Sequence, residues 1–143
     1  MTLQEVYKKC KAWMFEKNSS SIYNNYIIDI ANEKLAELFE ENNMCRMFYG
    51  KKPLKTIPQC TSLQDELGIF NDDGTETGLG IMPEYQYEVL PLGIVVEFLM
   101  DDDLNKMSRF DTKYNNARVM HQKIVSMDRI KELESDNAAK VNA

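Results

Sequence analysis

Apolar residues recur at steps of three and four along most of the chain, the spacing of amphipathic helices. In 2–17, TLQEVYKKCKAWMFEK, the residues Leu3, Val6, Tyr7, Cys10, Trp13 and Met14 mark one face. Thr2 opens that helix as a capping box: its hydroxyl accepts from the N3 amide while Glu5 reaches back. NSSS at 18–21 ends the helix and offers the next N-cap. The pattern then predicts the longest helix, over about 22–44. Its stripe is Tyr23, Tyr26, Ile27, Ile30, Ala31, Leu35, Leu38 and Phe39, with Asp29, Glu33, Lys34, Glu37 and Glu40 largely off it. ENN at 41–43 reads as a fraying end, and Gly50 as a stop.

The text then changes to KKPLKTIPQCT at 51–61, where two prolines predict an extended connector. TSLQDELGIF reads as a short helix, N-capped by Thr61 or Ser62 with Gln64 or Asp65 at N3. NDDGTETGLGIM, 71–82, carries three glycines and a DG pair, so a turn or hairpin with short flanking strands is expected there. Pro83 opens a helix at N1. PEYQYEVLPLGIVVEFLM is apolar on most sides, which makes this the buried helix. Pro91 lies inside it, so either the helix kinks or its regular part starts there. Gly93 gives a flat spot for the close approach of another helix.

LNKMSRFDTKYNNARVMHQKI follows, with one narrow seam of Leu104, Met107, Phe110, Tyr114, Ala117, His121 and Ile124 on a polar helix of about 20 residues. From about Ser126 the chain is charged and then polar, and a disordered tail is expected there. The fold class is therefore mainly α: a small bundle of four to five helices with a Gly-rich loop or short β-hairpin insert. Residues 1–125 form a single helical domain and 126–143 a polar tail.

Composition narrows the functions. The 143 residues suit one domain with one modest core. No apolar run is long enough for a membrane span, and the N-terminus lacks an apolar signal core, so a chain made and used in a cytoplasm is expected. Net charge is −6, which disfavours tight duplex binding, since phosphate recognition needs a Lys/Arg surface. Cys10, Cys45 and Cys60 are odd in number and far apart, so free thiols are expected rather than a disulfide framework or a zinc site.

Two groups invite a chemical reading. Asp101, Asp102 and Asp103 resemble ligands, yet a calcium loop needs a glycine-assisted turn and a distal glutamate that DDDLNKMSRFDT lacks. Asp is also a preferred N-cap, and acids near a helix start interact favourably with its dipole, so a helix corner accounts for all three. His121 sits on the last apolar seam without convergent partners in sequence, which reads as packing. Nucleotide-loop, zinc-protease and nucleophile-elbow motifs do not occur in the sequence. Tyr23, Tyr26, Tyr49, Tyr85, Tyr87 and Tyr114, without a basic groove, read as core edges and interface residues. No catalytic residue, metal ligand or cofactor is expected.

LPLGIVVEFLMDDDLNKMSRFDTKYNNARVM resembles the last helical pair of the head–tail connector proteins of tailed bacteriophages, also called adaptors or head completion proteins. In that family a helix with an L-P-x-G-x-A-like text is followed by an acidic corner, then by a helix with a tyrosine and small or basic residues one turn on. Leu90, Pro91, Gly93, Asp101, Asp102, Tyr114, Ala117 and Arg118 occupy those positions. The order upstream is similar, and the resemblance spans roughly 20–124. Ile94 and Val95 replace the alanine usual after the glycine, and the insert at 71–82 has no counterpart. The resemblance implies a structural protein of the virion, assembled in the bacterial cytoplasm into a ring, usually dodecameric, beneath the portal. Its partners would be the portal protein and the neck or tail-completion protein, with DNA only passing through the channel. A small helical protein-binding or regulatory module of a bacterium or prophage is the alternative.

Overall fold

The computed structural model describes residues 1–14 and 21–141, with Ser21, Ile22 and residues 127–141 described by their backbone alone. Among the described residues the chain is mainly helical, with five α-helices and a two-stranded antiparallel hairpin. In chain order these are α1 Leu3–Trp13, α2 Ser21–Glu37, α3 Phe39–Phe48, β1 Ile69–Phe70, β2 Glu76–Thr77, α4 Leu90–Leu99 and α5 Leu104–Val141. α4 is the central rod and packs against α1, α2 and α5. Its residues Leu90, Ile94 and Val95 are fully buried, with Leu3 and Val6 of α1 and Ile27 and Ala31 of α2 in the same core. An all-round apolar helix is stable only when enclosed in this way.

The N-terminus forms as its residues dictate. Thr2 caps α1 and Glu5 closes the box. Cys10 and Met14 are buried with the rest of the expected face, and Trp13 lies half-exposed. The expected N-cap within 18–21 falls mainly outside the described residues.

The predicted helix over 22–44 is two helices. α2 ends at Glu37 and α3 starts at Phe39, with Leu38 between them at φ −92° and ψ 3°. Leu38 N still donates to Lys34 O and Asn42 N to Leu38 O, so the rod bends rather than turns. ENN at 41–43 does not fray. It lies inside α3, with Glu41 and Asn42 buried. The stop at Gly50 is as read: Gly50 has φ +76°, Gly50 N donates to Met47 O and Lys51 N to Arg46 O. That pair of bonds is the Schellman ending, in which glycine takes the left-handed position.

The short helix expected over 61–70 is absent. Thr61 and Ser62 amides do donate to the Asp65 carboxylate, at 2.6 and 3.1 Å, but they close a turn. The chain then runs extended, because α1 needs partners for its first amides. Leu3 N donates to Asp65 O and Gln4 N to Leu63 O, while Leu67 N donates to Met1 O. A tertiary partner for orphan donors outweighs a marginal helix propensity. The expected hairpin forms, with Ile69 opposite Thr77 and Phe70 opposite Glu76. Gly74, at φ +89°, completes its turn.

Pro83 opens the next helix, whose first stretch, Tyr85–Val89, is wound as a π-helix. The regular α-helix begins at Leu90, so Pro91 falls in the first turn of α4. A proline there has no N–H to give to the Tyr87 carbonyl, and the Lys9 ammonium occupies that carbonyl instead. α5 runs 38 residues to Val141, beyond the expected end near Ser126 and roughly 57 Å at 1.5 Å per residue. Residues 126–141 contain neither Gly nor Pro, and Glu, Lys and Ala, all good helix formers, each occur twice.

Candidate functional site

The acid triplet forms the corner between α4 and α5. Asp102 N and Asp103 N donate back to Leu99 O at 3.1 and 3.0 Å, which closes α4. The Asp103 carboxylate accepts from Lys106 N at 3.0 Å, the N-cap contact to the third helical residue. Asp102 accepts from the Tyr23 hydroxyl at 2.6 Å and so ties the corner to α2. Asp101 is exposed. Among the described residues, no group of three His, Cys, Asp or Glu side chains converges on a point where a metal ion would sit.

A second constellation lies where α2, α3 and α5 meet over α4, and the corner sets it by aiming α5 back along α4. At Gly93 a side chain would stand 2.9 Å from Tyr114 Cε1 and 3.2 Å from Lys34 Cδ. Glycine is therefore what lets the Tyr114 ring and the Lys34 stem lie on the α4 backbone. The Tyr114 hydroxyl donates to Glu37 Oε1 at 2.8 Å. One turn on, Arg118 Nη1 donates to Glu37 Oε1 at 2.9 Å, Nε donates to both Glu41 oxygens, and Nη2 also pairs with Glu41 Oε2. Lys34 Nζ completes the seam, 2.8 Å from Glu97 and 3.2 Å from Glu37. Ala117, 4% exposed, keeps α5 close.

The charges of the seam sustain one another. Burial alone pushes the Glu37 carboxyl up. The Tyr114 hydroxyl, Lys34 and Arg118 outweigh that and hold it below its ordinary value of 4.5. Burial likewise works against the Lys34 ammonium, yet Glu97 and Glu37 raise its pKa. Tyr114 is raised by burial and then by Glu37, so it stays a neutral donor. Cations bonded in this way to carboxylates form a structural clamp between helices.

The remaining chemical candidates are packed groups. All three cysteines are free and buried. Burial, with Glu84 next, pushes the Cys45 thiol up to about 12; burial, with Asp65 next, pushes Cys60 up to about 11, and burial raises Cys10 further. Thiols held protonated are poor nucleophiles. His121 is half-buried against Tyr85, with Nε2 3.2 Å from Glu88 Oε2. Of the tyrosines, Tyr85 and Tyr114 are buried, whereas Tyr26, Tyr49 and Tyr87 are more than half exposed. Leu104 and Ile124, expected on the α5 seam, are exposed, and only Tyr114 and Ala117 of that seam are fully covered.

A set of clamps escapes the periodicity reading. Asn32 brackets Cys60 through both its backbone N and O, at 2.6 and 3.0 Å, and Asn43 brackets Leu54 in the same way, at 2.7 and 3.0 Å. Asn42 accepts from Met82 N and donates to Gly80 O. Arg46 donates to Gly80 O and Lys52 O and pairs with Glu76 at 2.8 Å. The α2–α3 rod thereby supplies side-chain partners for a connector that has few backbone partners of its own. Asparagine at three interior helix positions, where it is a poor helix former, was the available signal.

No protein-family model, curated protein or solved structure matches the chain. Among the described residues, no helix is long and apolar enough to cross a membrane.

Proposed function

We propose that the chain is a structural protein of the phage head–tail junction: one subunit of a ring beneath the portal that extends the DNA channel and docks the next neck or tail component. The observation that carries this reading is the α4–α5 crossing. Gly93, Tyr114, Ala117 and Arg118, four of the positions on which the resemblance rests, meet there in one clamp with Glu37 and Glu41. Leu90 and Pro91 start the rod that the clamp holds, and Asp101 and Asp102 sit at its far corner. All of these residues but the exposed Asp101 have an architectural task, which suits a building block without a reaction to perform. The net charge of −6 suits a lumen past which DNA slides, because acidic walls repel phosphate. Ring closure would use head-to-tail contacts between subunits.

The test is removal of the gene from the phage or prophage that encodes it. Heads that package DNA but fail to join tails, rescued by supplying the chain in trans, are the expected result. Undiminished infectivity, with the chain absent from purified wild-type virions by mass spectrometry, would overturn the proposal.

A further inference from the structure

α5 carries Lys106, Arg109 and Lys113 at steps of three and four. They rim a groove of about 560 Å³ between α1 and α5, floored by Trp13, Leu92 and Phe110. The Trp13 and Phe110 rings lie stacked, 6.4 Å between centroids. Lys113 Nζ sits 5.2 Å over Phe110, and Lys106 Nζ donates to Met14 O. Glu88 is the carboxylate lining the groove, and its Oε2 faces His121. Among the described residues, Arg109 and Lys113 form no ion pair. The groove joins an aromatic floor to a cationic rim. Its complement is an acidic helix face that carries an aromatic side chain.

The outer side of α2 is such a face. Tyr26, Asp29 and Glu33 repeat the three- and four-residue steps of Lys106, Arg109 and Lys113, so both rows span roughly 10 Å at 1.5 Å per residue. All three are exposed, Tyr26 by more than half. Glu40, also exposed, continues the row past the bend at Leu38. Among the described residues, Asp29, Glu33 and Glu40 form no ion pair. Lys34 is the sole cation in the sequence from residue 18 to residue 45, and it is buried with Glu37 and Glu97 as its partners. Ile27, Ala31 and Leu35, all buried, hold the other side of α2 in the core against α4. The acidic face therefore turns outward and cannot close on the groove of its own chain.

We infer that the groove between α1 and α5 receives the outer face of α2 from a second copy, with the Tyr26 ring against Trp13 and Phe110 and with Asp29 and Glu33 opposite Arg109 and Lys113. The charges match in step: 29 and 33 are four apart, as are 109 and 113, so each pair is adjacent on its own helix. Such a contact joins two different surfaces, so repeating it gives a closed ring or an open filament. It deepens the ring reading, on which it rests for its setting.

Sedimentation of the full chain at low salt, from on the order of 10 µM to 1 mM, reads the contact. The mass should rise with concentration and fall back on adding salt. Trp13 is the single tryptophan, so its emission should change in step with the mass. Arg109→Glu with Lys113→Glu should weaken association by about tenfold or more, as should Asp29→Lys with Glu33→Lys. Circular dichroism checks that each variant keeps its helices, and combining all four changes should restore association. Tyr26→Ala, which alters no charge, should weaken it as well. Self-association that is indifferent to either reversal, is not restored by their combination, or leaves Trp13 emission unchanged would overturn this contact and leave the ring standing. A chain still monomeric at the highest concentration would overturn it as well, leaving the groove to an acidic helix of another protein. Failure of the unsubstituted chain to bind portal rings would instead count against the ring reading alone.

Discussion

Tyr114 is where the resemblance and the geometry coincide, and it yields the sharpest test of the clamp. Tyr114→Phe keeps the ring over Gly93 and removes the donor to Glu37. Denaturant unfolding should show a loss of about 1 kcal/mol near neutral pH. Glu37 is held below its ordinary 4.5, so its contribution is present above that value and is lost as pH falls through the lower folded value. The gap between wild type and Tyr114→Phe should therefore narrow on acidification below 4.5. A gap independent of pH would place the energy of Tyr114 elsewhere. The acid triplet separates in the same way. Asp103→Ala should cost about 1 kcal/mol through loss of the N-cap, and Asp101→Ala, at an exposed position, less than about 0.5 kcal/mol. The reverse order in thermal melts would contradict the corner as described. At this scale the sequence identified Gly93, the acidic helix corner and the free cysteines correctly, because each has a local reason. It placed Lys34 and Glu37 off the apolar stripe, and nothing local showed that partners on α4 and α5 would draw them into one seam.

Among the elements, helices with their own cap and stripe were legible: α1, the start of α5 and the helix begun by Pro83. The hairpin was legible too, through its glycines. What failed includes the segment 61–66, whose local capping signal is overridden by distant backbone partners. The stretch 61–66 carries capping chemistry yet runs into an extended segment, since the first amides of α1 take its carbonyls. The 22–44 pattern gave no sign of the bend at Leu38, and the end of α5 was drawn too early because polar composition was weighed above helix propensity. The asparagines of α2 and α3 show how such segments are held. Asn42→Ala would leave Met82 N–H without its buried partner and Gly80 O with Arg46 as its remaining donor. A loss of about 1–3 kcal/mol is expected, with faster amide exchange at Ile81 and Met82 than in α1. Unchanged exchange there would show that the loop holds itself.

At the scale of the whole molecule, a central apolar rod is enclosed by three helices, clamped by charge on one side and by side-chain-to-backbone bonds on the other. The long α5 runs well past the residues that pack on α4. This arrangement suits a subunit whose contacts are completed by neighbours, and a chain in isolation should be monomeric or only weakly associated. The most direct measurement is electron microscopy of the purified chain mixed with portal rings isolated from the phage or prophage proposed to encode it. The expected result is a closed ring of this chain coaxial with the portal, with one copy per portal subunit. Bare portals beside a tight two-fold dimer of the chain would contradict it.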